Sequence, residues 1–362
     1  MRSLLGTHIV ARASGRRLAL AIATLAVLGC TARADAAPPA TSAPPAPQSV
    51  LRSLAIDPAL EERILALDPE HVSENDVAAT LSRAPAPRIV LLHGGVAFTD
   101  RIMASAGRFL VGMGYPEMSI RSPGDRSWSM SPYEDSAKIA GLLAWYYERD
   151  GMRPMMIGHS QGGIQAIKVL YELAGRYAPE VPVWDPYAGQ ALPRTTIVDP
   201  LTGAEQPVVG LTLSYVSVVA AGGAALLLPN QWSMADKVHT IPDSVAEFTG
   251  FSVGLDSLAW TLPGINATTE FRHNGTAAVR SVPLPFVYNH LTVPITGPLA
   301  GDPVARAWID AYTPDQPDSE RPGERAGYAT LWAADVWYSV KKHWTLEAQR
   351  LLRARRAQVG PP

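Results

Sequence analysis

Blocks of apolar residues with two different spacings alternate along the chain. The segment "RIVLLHGG" at 88–95 begins with a continuous apolar run, which is typical of a strand buried on both faces of a parallel sheet. Residues 100–113 and 133–151 have helical spacing, "RPMMIGHS" returns to a strand pattern, and 162–177 are again helical. This alternation predicts an α/β protein with a mostly parallel sheet that helices cover on both faces.

Weaker patterns predict further elements on either side of this core. They are two short helices between Val50 and Leu81, a short strand at 117–122, strands within 211–232, 248–256 and 277–294, and an amphipathic helix over 331–352. Residues 181–210 are rich in proline and turn residues, and "LLLPNQW" has the character of a lid. We therefore expect an insertion or lid within 181–247.

The first residues have the pattern of a secretory signal. Three arginines between residues 12 and 17 precede an uncharged apolar stretch at 18–29, which is too short to cross a bilayer as a stable helix. Small residues then allow cleavage before Ala37 or Asp35. We expect 1–36 to be a signal peptide and the protein to be exported to the periplasm or the medium. An uncleaved membrane anchor is the alternative.

Cys30 is the only cysteine of the chain and directly follows the apolar stretch. This position resembles the lipidated cysteine of bacterial lipoproteins, so a lipid tether through Cys30 is a second possibility for the N-terminus. The rest of the chain has no thiol and so no disulfide or cysteine metal site. Residues 37–48 form a linker rich in proline and alanine, and residues 49–362 suit one α/β domain.

The charge pattern gives no sign of a nucleic-acid partner. The formal net charge is −2, and the one basic block, at 350–358, has the character of a solvated helix end. No nucleic-acid binding is expected.

A glycine-flanked serine stands where a strand pattern changes into a helix pattern. Gly158, Ser160 and Gly162 form a Gly-x-Ser-x-Gly motif in "MMIGHSQGG". In this context the motif predicts a nucleophile elbow, in which a sharp turn exposes the serine hydroxyl and the glycines avoid collision between strand and helix. The free N–H groups of the helix would then face any oxyanion that forms there. A turn that is merely rich in glycine is the alternative.

The "GHSQGG" and "LLHGG" segments together resemble the α/β-hydrolase superfamily, in particular its bacterial lipase and esterase branches. The resemblance is good over 88–177 and loose elsewhere. It implies that Ser160 is the nucleophile and that the backbone N–H of Gln161 is one oxyanion-hole donor. Gly95 matches the position of the second donor, with Val96 as the alternative.

The nucleophile needs a base, and in this fold the chain order is serine, acid, histidine. His290 is the predicted base because 277–294 reads as a core strand that leads into the loop carrying it. His343 lies in a helical pattern where partial exposure is expected, and His273 precedes an Asn-Gly pair typical of a hairpin turn. His239 falls in the expected insertion. His93 and His159, beside the two motifs, are expected to be structural, with His159 directed away from the serine.

The acid has no motif and is predicted from topology. Asp256 ends a predicted strand, and a helix and a strand fit between it and His290. Asp199 is explained by a hairpin turn, whereas Asp236 and Asp243 suit helix caps.

These residues predict a secreted serine hydrolase that cleaves carboxylic esters of small molecules or lipids through an acyl-enzyme, with no metal or organic cofactor. An amidase or peptidase, or an acyltransferase, would use the same residues. A binding protein that keeps the fold without turnover is the alternative from another class. The small residues at 222–225 would either admit a substrate to the backbone or allow close helix packing.

Overall fold

A computed structural model describes residue 54 and residues 56–254, 256, 258–259, 270–315 and 328–359. All of them belong to one of two compact units of the chain, residues 41–362. The predicted signal peptide, Cys30 and the linker lie outside the described residues. Residues 260–269, between Asp256 and His290, lie outside them as well.

Eleven strands fall within the described residues. They are β1 Ile89–Leu92, β2 Met155–His159, β3 Trp184–Asp185, β4 Gln190–Ala191, β5 Thr196–Val198, β6 Glu205–Pro207, β7 Leu213–Val219, β8 Thr240–Ile241, β9 Val245–Val253, β10 Arg272–His273 and β11 Ala278–Leu284. Five of them form the central sheet in the order β1-β2-β7-β9-β11, and all its neighbours are parallel. The described sheet therefore runs in one direction throughout.

The described α-helices are α1 Pro58–Ala66, α2 Glu74–Ala79, α3 Thr99–Gly112, α4 Ser136–Asp150, α5 Gln161–Leu173, α6 Pro303–Ala311 and α7 Thr330–Val359. Short 3₁₀ turns occur at Leu81–Arg83, Glu117–Ser119, Gly223–Leu227, Pro229–Met234 and Gly297–Gly301. The long helix α4 illustrates how capping residues set helix boundaries. Asp135 caps the N-terminus of α4 through the N–H of Ala137, and Gly151 ends the helix at a φ of 70°.

Alternate side chains of the strands enter two cores, one on each face of the sheet. In β1, Ile89 and Leu91 pack into a core with residues of α3 and α7, whereas Val90 and Leu92 pack into a second core with residues of α4 and α5. This period of two explains why the strands are apolar without interruption. The prediction of an α/β protein with a mostly parallel sheet flanked by helices is confirmed.

The predicted strand at 117–122 is wrong. Residues 117–119 form a 3₁₀ turn instead, in which the N–H groups of Ile120 and Arg121 donate to the carbonyl of Glu117. The outer edge of β1 is contacted by Met130, which forms a single parallel bridge with Leu92. Local hydrogen bonding thus replaces sheet pairing in this segment.

Small deviations at other elements have local causes. Helix α5 ends at Leu173, four residues before the predicted end, because Gly175 takes a φ of 67° and its N–H donates to Glu172. The hairpin expected at Asp199 is present as the antiparallel pair β5–β6. The hairpin expected at His273 is wrong, because β10 pairs in parallel with β8.

None of the described helices is both long enough and apolar enough to cross a membrane.

Candidate active site

Ser160 lies on the turn between β2 and α5, at the carboxyl edge of the sheet. We call this turn, His159 to Gln161, the serine turn. The Ser160 φ of 54° is in the left-handed region, which non-glycine residues seldom adopt. The surroundings hold this conformation. The N–H of Ser160 donates to Val219 at 2.9 Å, and its carbonyl accepts from the N–H of Gly163 at 2.9 Å.

The two glycines of the motif stand where backbones touch. A Cβ added to Gly158 would lie 2.6 Å from the carbonyl oxygen of Gly162. A Cβ added to Gly162 would overlap the carbonyl oxygens of Leu92 and His93 at the end of β1. Glycine at both positions therefore lets helix α5 start directly against the strands, as the sharp turn requires.

One chain of hydrogen bonds joins Ser160, His290 and Asp256. The Nε2 atom of His290 lies 2.8 Å from Oγ of Ser160, and its Nδ1 lies 2.5 Å from Oδ2 of Asp256. A carboxylate only accepts hydrogen bonds, so Nδ1 carries the proton and the lone pair of Nε2 faces the serine hydroxyl. The three residues predicted from the sequence are thus brought together in the order in which a base-activated serine needs them.

Each of these residues follows the carboxyl end of a different strand. Ser160 follows β2, Asp256 follows β9 by three residues, and His290 lies in the loop after β11. Gly95 follows β1, the neighbour of β2. Because parallel strands end at the same edge, residues distant in sequence converge there.

The predicted oxyanion donors belong to two segments that touch each other. Gln161 is the first residue of α5, where a backbone N–H has no intrahelical partner. Its side-chain Oε1 packs so closely on Gly95 that an added Cβ there would overlap it. The carbonyl of Gly95 accepts from the hydroxyl of Tyr133 at 2.9 Å. The peptide that joins Gly95 to the alternative donor, Val96, is therefore held in a fixed orientation.

His93 and His159 have backbone partners. The Nδ1 of His93 bonds the carbonyl of Gly94 at 2.8 Å, within the loop that carries Gly95. His159 is fully buried, and its Nε2 lies 2.7 Å from the carbonyl oxygen of His290. Burial, reinforced by the adjacent His290 ring, lowers the pKa of His159 to about 4. Sequence reasoning missed the contact with His290, because the two residues are 131 positions apart.

The alternative histidines lie in other surroundings. His239 packs on Phe271, and His273 is exposed on β10. The expectation that His343 is partly exposed is wrong. It is buried, stacks on Tyr215, and lies 3.2 Å from a carboxylate oxygen of Glu247.

The alternative acids have structural partners. Asp199 accepts from the N–H of Leu201 in the β5–β6 turn. The prediction that Asp236 and Asp243 cap helices is wrong. Asp236 is exposed and forms an ion pair with Lys237, whereas Asp243 accepts from the N–H of Ala277 at 2.9 Å at the start of β11.

The Asp256 carboxylate is buried and well supplied with donors. Its side chain is only 1% exposed, and its second oxygen, Oδ1, accepts from the N–H groups of Leu258 at 2.9 Å and Ala259 at 3.0 Å. A buried charge is tolerable only when it is hydrogen-bonded in this way. These two bonds also fix which oxygen faces His290.

Exposed apolar side chains surround this edge of the sheet. They occur in the loops that follow β1, β7, β9 and β11 and in the segment that contacts Gly95, and they are Val96, Phe98, Tyr133, Leu227, Trp232, Leu258, Phe286, Val287 and Leu291. We call this set the apolar rim. Such a concentration of exposed apolar surface at one site commonly marks a place where an apolar ligand or surface binds.

The region predicted as an insertion, 181–247, contains the core strand β7 in its middle, as expected from 211–232. The 3₁₀ turns after β7 pack beside the serine turn, where Nε2 of Gln161 donates to Oδ1 of Asn230 at 3.4 Å. The small residues at 222–225 pack on the segment after Asp256. The N–H of Ala224 donates to Leu258, and a Cβ on Gly223 would overlap the carbonyl oxygen of Leu258. The small residues at 222–225 therefore allow the segment after β7 to pack closely on the segment after Asp256.

A separate cavity of about 570 Å³ lies at the outer edge of β1. Its lining includes Trp128, Trp184 and Tyr146 but none of the three hydrogen-bonded residues Ser160, His290 and Asp256. Lys138 and Arg121 lie over the faces of Trp184 and Trp128, so these rings already have cationic partners.

In the part of the chain that the structure describes, no group of three or more histidine, cysteine, aspartate or glutamate side chains is arranged to hold a metal ion. Comparison of the sequence with models of known protein families and with curated proteins finds no match.

Proposed function

We propose that the protein is a serine hydrolase with the α/β-hydrolase fold that cleaves carboxylic esters. The observation that carries this proposal is the hydrogen-bonded series Asp256, His290 and Ser160 on a strained strand-to-helix turn. The order of the residues along the chain and their placement after successive parallel strands agree with that fold. A strained nucleophile position is typical of sites where geometry is selected for reactivity.

In the proposed reaction, Oγ of Ser160 attacks the ester carbonyl carbon while Nε2 of His290 takes the hydroxyl proton. The carbonyl π electrons move onto oxygen, and the backbone N–H groups of Gln161 and of Gly95 or Val96 bind the oxyanion. Each such donor typically contributes about 3 kcal/mol to the transition state. Asp256 holds the Nδ1–H tautomer and stabilises the imidazolium.

The tetrahedral intermediate then collapses. The carbon–oxygen bond to the alcohol breaks, and the imidazolium of His290 returns its proton to the departing alkoxide, which leaves the acyl group on Ser160. Water enters, His290 takes one of its protons, and the hydroxide oxygen attacks the acyl carbon. Collapse of the second intermediate releases the acid and restores the Ser160 hydroxyl.

The apolar rim supports esters with an apolar acyl or alcohol group as substrates. Trp232 and Phe286, at 63% and 73% exposure, offer large apolar surfaces in the segments that follow β7 and β11. Covering them with a substrate chain would remove apolar area from water, at about 25 cal/mol for each Å² buried. The same contact would exclude water from the oxyanion. Export to the periplasm or the medium, with or without a lipid on Cys30, is part of the same proposal.

Labelling with a fluorophosphonate tests the proposed function. The probe reacts with a serine hydroxyl only when a base activates it, and it needs no knowledge of the substrate. We expect one adduct, on the peptide that contains Ser160, and no adduct in Ser160→Ala or His290→Ala. Circular dichroism must show that both variants are folded. Absence of an adduct on the folded unmodified protein would favour a binding protein without turnover.

Hydrolysis of a series of p-nitrophenyl esters, run beside matching anilides, separates esterase from amidase activity. Transfer of the acyl group to added alcohols in competition with water identifies an acyltransferase. The labelling result is shared by all three activities, so this second assay is needed to choose among them.

A further inference from the structure

Two consecutive residues of the serine turn hold opposite ends of His290. Ser160 meets the imidazole, with Oγ 2.8 Å from Nε2, and His159 meets the main chain, with its own Nε2 2.7 Å from the carbonyl oxygen of His290. The ring centroids of the two histidines are 5.4 Å apart. The end of strand β2 therefore determines both where the base ring lies and where its backbone lies.

The bond from His159 has a defined direction. A carbonyl oxygen can only accept, so Nε2 of His159 carries the proton and donates. His159 is fully buried, and burial keeps the ring neutral by lowering its pKa to about 4. Its Nδ1 is buried with no hydrogen-bond partner among the described residues. The ring thus works as a single uncharged donor aimed at His290.

The bond from His159 adds a restraint to the loop that carries His290, which has little regular structure. It runs from the end of β11 at Leu284 to the 3₁₀ turn at Gly297 and contains only hydrogen-bonded turns, such as the N–H of Val293 to the carbonyl of Asn289. Phe286 and Val287 in this loop are 73% and 70% exposed. Tyr288 and Val293, on either side of His290, are buried in the core, so packing restrains the loop at those two points and leaves residues 286–287 less restrained.

We propose that His159 is a positioning residue of the proposed hydrolase, which fixes the main chain of His290 so that Nε2 stays within hydrogen-bond distance of Ser160. This inference rests on the proposed function for its kinetic consequence but not for its structural one. A buried neutral donor at the end of a strand is a more rigid support for a catalytic group than a loop held by turn hydrogen bonds alone. Displacement of a reacting group by about 1 Å can cost about 100-fold in rate.

Two variants at one position separate the hydrogen bond from the volume of the ring. His159→Phe keeps a flat ring of similar size and removes the donor, whereas His159→Gln retains an N–H donor at a comparable reach. His239→Phe is the control, because His239, although only partly buried, is like His159 a histidine that packs against an aromatic ring, and it lies outside the serine turn. All three are compared with the unmodified protein.

The readouts are the rate constant of fluorophosphonate labelling at Ser160, kcat and KM on a p-nitrophenyl ester, the melting temperature, and amide hydrogen exchange over residues 285–296. For His159→Phe we expect labelling and kcat to fall about 10- to 100-fold with KM within about twofold, and faster exchange in this loop. On a logarithmic scale, the labelling rate and kcat of His159→Gln should lie at least about halfway from the values of His159→Phe to those of the unmodified protein. His239→Phe should change neither the rate nor the exchange.

The inference is wrong if His159→Phe labels Ser160 at the rate of the unmodified protein, or if its loop exchanges no faster. It is also wrong if Phe and Gln at this position reduce the rate equally, because then the donor does not matter. Failure of the unmodified protein to label would instead contradict the proposed function, while hydrogen exchange would still test the anchor. The two failures are therefore distinguishable.

Discussion

Asp256 presents its two carboxylate oxygens to different partners. One oxygen faces Nδ1 of His290, and the other accepts two backbone N–H groups from Leu258 and Ala259. The backbone bonds prevent the carboxylate from rotating, so the imidazole always meets the same oxygen. At the scale of a single residue, the orientation of the acid is thus fixed by its own following turn.

Asp256→Asn tests this arrangement. The amide keeps the size of the carboxylate, but its NH₂ group can donate to Nδ1 and hold His290 in the wrong tautomer. We expect kcat on a p-nitrophenyl ester to fall about 10³- to 10⁴-fold, with a smaller change in KM.

Asp236→Asn is the control for Asp256→Asn, because Asp236 is exposed and pairs only with Lys237 on the surface. It should retain full activity. If the proposed activity is present and Asp256→Asn retains more than about a tenth of normal kcat, another group orients His290.

At the scale of elements, a buried carboxylate ties helix α7 to the sheet. Asp335 of α7 is fully buried and forms two hydrogen bonds of 2.7 Å with the guanidinium of Arg280 on β11. The hydroxyl of Tyr312, just after α6, donates to the same carboxylate at 2.9 Å. One carboxylate therefore connects the last strand of the sheet with two segments that cover its face.

Asp335→Ala should destabilise the protein by about 2–3 kcal/mol, below the cost of unpairing a fully buried charge, because the Arg280 side chain that loses its partner is 33% exposed. Equilibrium unfolding in urea measures the change. Asp236→Ala breaks an exposed pair and should change stability by less than about 1 kcal/mol. A loss below about 1 kcal/mol in Asp335→Ala would show that water reaches the site and solvates Arg280.

At the scale of the whole molecule, buried groups make stability depend on pH, and His159 and Glu247 are two that do so strongly. His159 has a pKa of about 4 in the folded state, against 6.5 as its ordinary value. Burial favours the neutral form of Glu247, yet the hydrogen bonds and charges of His343 and Lys342 prevail and lower the pKa of Glu247 to about 2, against 4.5. Both groups bind protons more weakly in the folded state than in the unfolded state.

The free energy of unfolding should therefore fall as the pH is lowered, in two successive windows. The contribution of His159 is complete above pH 6.5 and is lost towards pH 4, for a total of about 3 kcal/mol. That of Glu247 is complete above pH 4.5 and is lost towards pH 2. Urea unfolding at a series of pH values measures both.

Single variants show which group causes the loss of stability in each pH range. His159→Phe should reduce the loss of stability between pH 6.5 and 4, of which His239 keeps a part because burial also lowers its pKa, and should leave the lower window intact. Glu247→Gln should reduce the lower window and leave the upper one intact. A profile that His159→Phe leaves unchanged would mean that His159 is accessible to protons without unfolding.

The local sequence predicted most of the core elements because the forces that form them are local or periodic. Continuous apolar runs predicted the buried strands, and helical spacing predicted α3, α4, α5 and α7. The glycines beside Ser160 predicted the serine turn. These signals arise from neighbouring residues, so no knowledge of the fold is needed. The wrong strand at 117–122 and the late end assigned to α5 occurred where local turn hydrogen bonds prevailed over the apolar pattern.

The sequence by itself determined that Ser160 stands on a strand-to-helix turn and that few histidines could serve it. Only the tertiary structure decided which side chains meet there. Convergence of Asp256 and His290 on Ser160 depends on the order of parallel strands in the sheet, and the bond from His159 to His290 spans 131 residues. Contacts of this kind leave no periodic trace in the sequence, because they are fixed by where the chain returns in space and not by what lies beside each residue.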